Sequence, residues 1–199
     1  MKDFIRLLKF IYPLCAVLFI GSVFTGAYFQ DRETSGSNSF SAATWTPSAT
    51  PTPTPASVVI NEFMANAIGA DNAAMPAGEW VELKNTGAVA QDVDGWYLYD
   101  SVNSNELQIN SANVGGGSTN IAAGGYLVIY RNADGDFEMN NTTADSVRLY
   151  DGPIASGNLK DSFSYSAGTI TENKTWARMP DGTGAFSAGQ TPTTGATNV

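Results

Sequence analysis

From Val58 onward, apolar residues recur in short alternating runs, and glycine, asparagine and aspartate interrupt them every few positions. In Glu79–Asn85 (EWVELKN), Val81 and Leu83 fall on one side and Trp80, Glu82 and Lys84 on the other. In Ser146–Tyr150 (SVRLY), Val147 and Leu149 face inward and Arg148 outward. This two-residue period predicts strands with one buried face. The same reading predicts strands at Val58–Met64, Trp96–Asp100, Glu106–Ile109, Tyr126–Tyr130, Asp161–Tyr165 and Thr175–Met179. Thr86-Gly87, Asp94-Gly95, Gly124-Gly125, Asp151–Pro153 and Pro180–Gly182 supply turns between them. Tyr126–Tyr130 (YLVIY) is apolar on both faces and is expected to be central in its sheet. No segment here sustains a 3.6-residue period. Short strands at this spacing predict an all-β sandwich or barrel, and the alternation fits a sandwich better.

The pattern upstream is different. Phe10 to Phe29 is a run of 20 residues without a charge, long enough as a helix to cross the ~30 Å hydrocarbon core of a bilayer. Lys2, Arg6 and Lys9 precede it and only Arg32 follows closely, which orients the N-terminus inward and the remainder outward. Residues 1–30 therefore read as a transmembrane signal anchor with its span at about 10–29, or as a signal peptide cleaved after Ala27. Cys15 lies within the apolar run and reads as a lipid-facing thiol. Residues 31–56 read as a disordered Ser/Thr/Pro-rich linker. The uncharged stretch Thr34–Ser57 holds 6 Ser, 6 Thr and 4 Pro, and the alternating prolines of Thr46–Pro55 favour polyproline II over any ladder. Residues 57–199 form the expected β-sandwich domain, so the chain reads as anchor, stalk and one module. The localisation this implies is the cell membrane, single-pass with the C-terminal domain outside, or secretion after cleavage.

Composition removes several chemistries. Among 199 residues there is no His and one Cys, which excludes a Ser-His-Asp triad, a His-ligated metal and an intrachain disulfide. From Ser57 the chain carries 16 acidic and 6 basic residues, the basic ones scattered; such a field repels phosphate, so no nucleic-acid partner is expected. There is no heptad segment for a coiled coil.

Six segments and a tail then occur in order: VVINEFMAN, GEWVELKNTG, DVDGWYLYD, IAAGGYLVIYRN, SVRLYDG and TWARMPDGTGAF, closing with TPTTGATN. Together they make the region Val58–Asn198 resemble the lamin-tail domain as found in bacterial surface proteins. The resemblance implies an immunoglobulin-like β-sandwich, a cell-surface or secreted setting, and a tethering or interaction role without catalysis. The family's closing segment usually has Pro before its Gly, where this chain has Thr194.

The chemistry left to consider rests on carboxylates and aromatics. Glu62, Glu79 and Glu82 are the acid–base candidates. A carboxylate pair could serve a glycan-active enzyme, but structural acids are the expected reading. Asp134, Asp136 and Glu138 alternate like calcium ligands, yet Phe137 stands where an EF-hand needs Gly, and a turn through Asp134-Gly135 accounts for the same residues. Trp96 and Leu98 are expected in the core. That places Tyr97 and Tyr99 on an outer face beside Trp80, an aromatic strip suited to a glycan or protein; a packed face under a loop is the competing reading. The expected partners are the membrane through residues 10–29 and an unidentified extracellular protein or glycan. No cofactor is expected. A secreted carbohydrate-binding module is the alternative to a membrane-tethered one.

Overall fold

The computed structural model describes residues 57–199. The membrane segment and the linker read from residues 1–56 lie outside the described residues. Among the described residues eleven strands are formed: β1 (Val58–Met64), β2 (Trp80–Asn85), β3 (Gln91–Asp92), β4 (Tyr97–Tyr99), β5 (Glu106–Gln108), β6 (Asn120–Ile121), β7 (Tyr126–Tyr130), β8 (Asp145–Tyr150), β9 (Leu159–Tyr165), β10 (Thr175–Met179) and β11 (Ala185–Gln190). A five-stranded sheet has the order β11-β10-β1-β2-β7, a four-stranded sheet the order β5-β4-β8-β9, and β3 and β6 make a small ribbon. Every pairing is antiparallel. Among the described residues no helix is long and apolar enough to cross a membrane.

One hydrophobic core lies between the two large sheets. Ile60, Phe63, Val81, Leu83 and Ile129 enter it from the five-stranded sheet, and Leu98, Leu107, Val147 and Leu149 from the other. The inward positions are the ones that the alternation marks, because one residue of slip would turn every side chain to the opposite face. Phe63 is fully buried. Its ring centroid lies 5.7 Å from Tyr165, 5.8 Å from Phe186 and 6.0 Å from Phe163.

Two expectations need correcting. Tyr126–Tyr130 is an edge strand, paired only with β2. Its second apolar face packs with Trp80 and Met64 rather than with another sheet: Val128 and Tyr130 flank that cluster. Its open edge is shielded where the Tyr130 N–H donates to Asn113 O (2.8 Å) and Val114 bridges to Ile129. Trp96 is only partly buried. It packs against the rim of the core, and the Lys160 ammonium sits 5.6 Å from its ring.

Asp161 of β9 joins the sheets. Its Oδ2 accepts from the Ile60 N–H (2.9 Å) and from Arg178 Nη2 (2.7 Å), while Arg178 Nε donates to Ile60 O (2.7 Å). β1 pairs with β10 only at Glu62 and Phe63. The clamp therefore satisfies Ile60 backbone groups that would otherwise be buried without partners. Replacing Phe63 by Ala should cost ~3–5 kcal/mol, whereas Trp96→Ala at the partly buried rim should cost about half of that. Denaturant midpoints of the two variants check the order, and equal losses would put Trp96 in the centre of the core.

Candidate functional site

Chemistry-bearing side chains converge on the outer face of the five-stranded sheet. The cause is local. Ile60 pairs with Leu83 and Glu62 with Glu82, so Asn61 is an extra residue in β1. Such a bulge turns two consecutive side chains to one face. Asn61 and Glu62 both point outward, opposite Glu82, and none of the three is exposed to solvent. The segment after β11, Thr191–Val199, lies over them.

The contacts of this C-terminal strap are specific. Glu62 accepts from Thr175 Oγ1 (2.6 Å), from Thr193 Oγ1 (2.9 Å) and from the Thr193 N–H, which is shared between its two oxygens (3.2 and 3.1 Å). Glu82 accepts from Asn61 Nδ2 (2.8 Å) and from the Gly195 N–H (2.6 Å). Asn61 Nδ2 also donates to Asp181 Oδ1 (3.0 Å), and Asn61 Oδ1 accepts from the Gly182 N–H (2.8 Å). Asp181 additionally takes the Asn198 N–H (3.1 Å), Tyr126 OH (2.8 Å) and Lys84 Nζ. Asn198 Nδ2 donates to Asn61 O and Arg178 O (3.3 and 3.1 Å). Two glycines are required here. Gly182 has φ +71°, and a Cβ would stand 2.5 Å from Lys84 Cδ. Gly195 has φ +75°, in a turn closed by the Ala196 N–H to Thr193 O (2.8 Å).

Electrostatics follow from who holds the cation. Burial would lower the Lys84 ammonium, but hydrogen bonds to Asp181 and Tyr126 outweigh it and hold the group above the usual lysine range. Burial likewise opposes ionisation of Asp181, yet Lys84, the Asn198 N–H and Asn61 keep it below the usual range. Glu82 has no such partner. Burial pushes it up to about 7, with the nearby charges of Glu62 and Asp181 adding and the bonds from Asn61 and Gly195 pulling back.

Glu79 stands apart from this pair. Its carboxylate is fully buried, accepting from Arg131 Nη1 (2.8 Å) and from the Met139 N–H (3.1 Å). Burial pushes it up to about 8 against the pull of Arg131. Thus all three acid–base candidates are spent on their own chain.

The loop proposed for calcium is an aspartate-capped turn. Asp134 Oδ1 accepts from the N–H groups of Asp136 and Phe137 (both 3.0 Å), and Glu138 leans toward Arg131 (3.6 Å). Among the described residues no group of three carboxylate, cysteine or histidine side chains could hold a metal ion. Asp134, Asp136 and Glu138 therefore do not converge, because Asp134 is consumed by backbone donors. The aromatic strip does not form either. Trp80 is buried beside Met64 in the five-stranded sheet, whereas Tyr97 and Tyr99 belong to the other sheet. Tyr99 is fully buried: its OH donates to Glu106 (2.9 Å) and accepts the Ile154 N–H (3.0 Å) from the β8–β9 loop, and Tyr97 stacks on it at 6.0 Å. A hollow of about 300 Å³ lies between Gln108–Asn113 and Arg131–Asp134. Its asparagines are committed to backbone partners: Asn113 Nδ2 to Gln108 O and Asn132 Nδ2 to Ala112 O.

Sequence reasoning missed Asn61, Asp181, Thr193, Gly195 and Asn198. The signal was present in part, since Asn61-Glu62 breaks the alternation of an otherwise apolar run.

A family model described as Lamin Tail Domain matches residues 51–167, more than half of the chain. No curated protein and no solved structure matches it. The matched range ends before β10, although β10, β11 and the strap complete the same sheet and its outer face.

Two outcomes follow. Thr194 occupies the position before Gly195 where a type II turn accepts proline, and its N–H donates to no group among the described residues; Thr194→Pro should raise stability by ~0.4–1 kcal/mol. Arg131→Gln leaves Glu79 buried without its cation, at a cost of ~3–5 kcal/mol once the carboxyl is ionised. Because Glu79 is already pushed up, the loss should shrink toward pH ~6, where it holds its proton. Urea titrations at pH ~6 and at pH ~9, below and above the raised value of Glu79, check it.

Proposed function

The chain belongs to the lamin tail domain family, and from that premise we propose that it is a non-catalytic, immunoglobulin-like module carried outside the cell on a membrane tether, where it works by surface binding, adhesion or scaffolding. The observation that carries the non-catalytic reading is the fate of the acids. Glu62, Glu79 and Glu82 are, among the described residues, the three glutamates without solvent exposure, and each is bonded to donors of the same fold. A hydrolytic carboxylate pair needs to face a substrate groove.

The tether is supported by the sequence: the uncharged run of residues 10–29, the basic residues before it, and the Ser/Thr/Pro stretch of residues 31–56 that would hold a module away from a surface. An extracellular protein or glycan is the partner class that fits this setting, and nucleic acid does not fit it. Four of the module's cations are already matched with carboxylates: Lys84 with Asp181, Arg131 with Glu79, Lys160 with Asp151 and Arg178 with Asp161. Few remain to release counterions from phosphate.

Membrane fractionation of cells making the full chain, with protease added from outside, tests the reading. The chain should sediment with membranes, and protease should cut between residues 34 and 57 in intact cells and free the module. A linker protected in intact cells but cut after lysis would invert the topology and remove the surface role. N-terminal sequencing separates an anchor, which begins at Met1 or Lys2, from a cleaved protein, which begins at Tyr28.

A further inference from the structure

The structure places two carboxylates side by side under one removable segment. Glu62 and Glu82 are register partners on neighbouring strands, both without solvent exposure. Among the described residues neither has a cation partner. Every donor to them is neutral: Asn61 Nδ2, Thr175 Oγ1, the N–H and hydroxyl of Thr193, and the Gly195 N–H. The strap supplies the last three. Buried like charges this close cannot both ionise without a cost, and the cost falls on whatever excludes water from them.

The surrounding charges offer no relief. On β2, Lys84 is engaged by Asp181 and by Tyr126 of β7. Asp181, from the connection after β10, adds a further negative charge and is joined to Glu82 through Asn61. On β10 the Arg178 guanidinium turns to Asp161, Ile60 O and Gly184 O, away from the pair. The strap, Thr191–Val199, carries no ionisable side chain.

We infer that the C-terminal strap is a proton-sensitive latch, seated while Glu82 holds a proton beside Glu62 and loosened when Glu82 ionises. Among the described residues the strap is the cover that can leave without breaking a strand pairing, since it follows β11 and meets the pair through the Thr193 hydroxyl and two backbone N–H groups. When it lifts, water reaches both carboxylates and their mutual repulsion is screened. The direction is set by Glu82. Its folded value is raised from 4.5 to about 7, so the seated state binds the proton more tightly than the open one. The latch is therefore firm below the open-state value and weakens as pH rises toward the folded value, by about tenfold for each unit of displacement.

Hydrogen exchange of the full chain, read by mass spectrometry and corrected for intrinsic rate, tests this. Protection of the 191–199 peptide should fall about tenfold or more between pH ~5.5 and pH ~8, while peptides from β7 and β8 keep theirs. Glu82→Gln, an uncharged stand-in for the protonated carboxyl that keeps one acceptor oxygen, should hold the strap near its low-pH protection and flatten the pH dependence. Glu79→Gln is the control and should keep it, since Glu79 touches no part of the strap. Strap protection that is unchanged with pH in the natural chain overturns the latch, as does a slope that survives Glu82→Gln. Should that variant not fold, the natural chain decides alone: a fall confined to the strap supports the latch, and a fall shared by β7 and β8 overturns it.

Discussion

The extra residue in β1 governs much of what this fold can be. Ile60 and Phe63 are three residues apart, so a strict two-residue period through VVINEFM could not bring both to the core face, and the bulge at Asn61 absorbs the odd residue. With it, both reach the core, while Asn61 and Glu62 share the opposite face with Glu82. The bulge that keeps both residues in the core thus sets an amide beside two acids on the outer face. The outer face must then be covered by something able to hydrogen-bond carboxylates, because leaving them buried and unpaired is costly. Thr191–Val199 is that cover.

The same insertion explains how the two sheets are joined. At Ile60 the pairing of β1 with β10 has not yet begun, so its N–H and C=O lack a strand partner on that side. Asp161 reaches across from the four-stranded sheet to the first, and Arg178 from β10 to the second. These two side chains also neutralise one another. The clamp is thus an ion pair whose members are mostly committed to backbone, which is worth more than a surface pair of equal length because it satisfies groups that have no alternative.

The sequence was legible where one face of a strand is buried and the other is not. Val58–Met64, Tyr126–Tyr130 and Thr175–Met179 have the predicted bounds, and Val81, Leu83, Val147 and Leu149 face the core as their alternation requires. It was poorly legible where burial comes from coverage rather than from the sheet's own inner face. Trp80 and Tyr99 stand on the outward phase of their strands, yet Trp80 is covered by Met64 and Tyr130 and Tyr99 by the β8–β9 loop. Alternation gives the phase of a side chain and says nothing of what lies above it. β11 escaped notice because AFSAGQ is small and weakly patterned; it is held by pairing with β10 and by Phe186 reaching Phe63. The convergence of Glu62, Glu82, Asp181 and Asn198 spans more than 130 residues of chain, and no local pattern carries that information.

The family match and the physical unit do not coincide, and the difference has a reason. Residues 51–167 contain β1 to β9, all of the four-stranded sheet and three strands of the other. Ending there would strip β10 from β1, exposing the edge next to Glu62, and would remove Thr175, Thr193 and Gly195, which supply most of the donors to the two acids. It would also remove Arg178 and Asp181, leaving Asp161 and Lys84 without their partners. A fold that keeps Glu62 and Glu82 on that face therefore has to keep the last 32 residues of the chain, 168 to 199. Those residues are short on apolar side chains and rich in Gly and Thr, so they offer little core for recognition. Their contribution is in backbone N–H groups and hydroxyls, which many sequences can place equally well provided that a glycine permits the turn at 195.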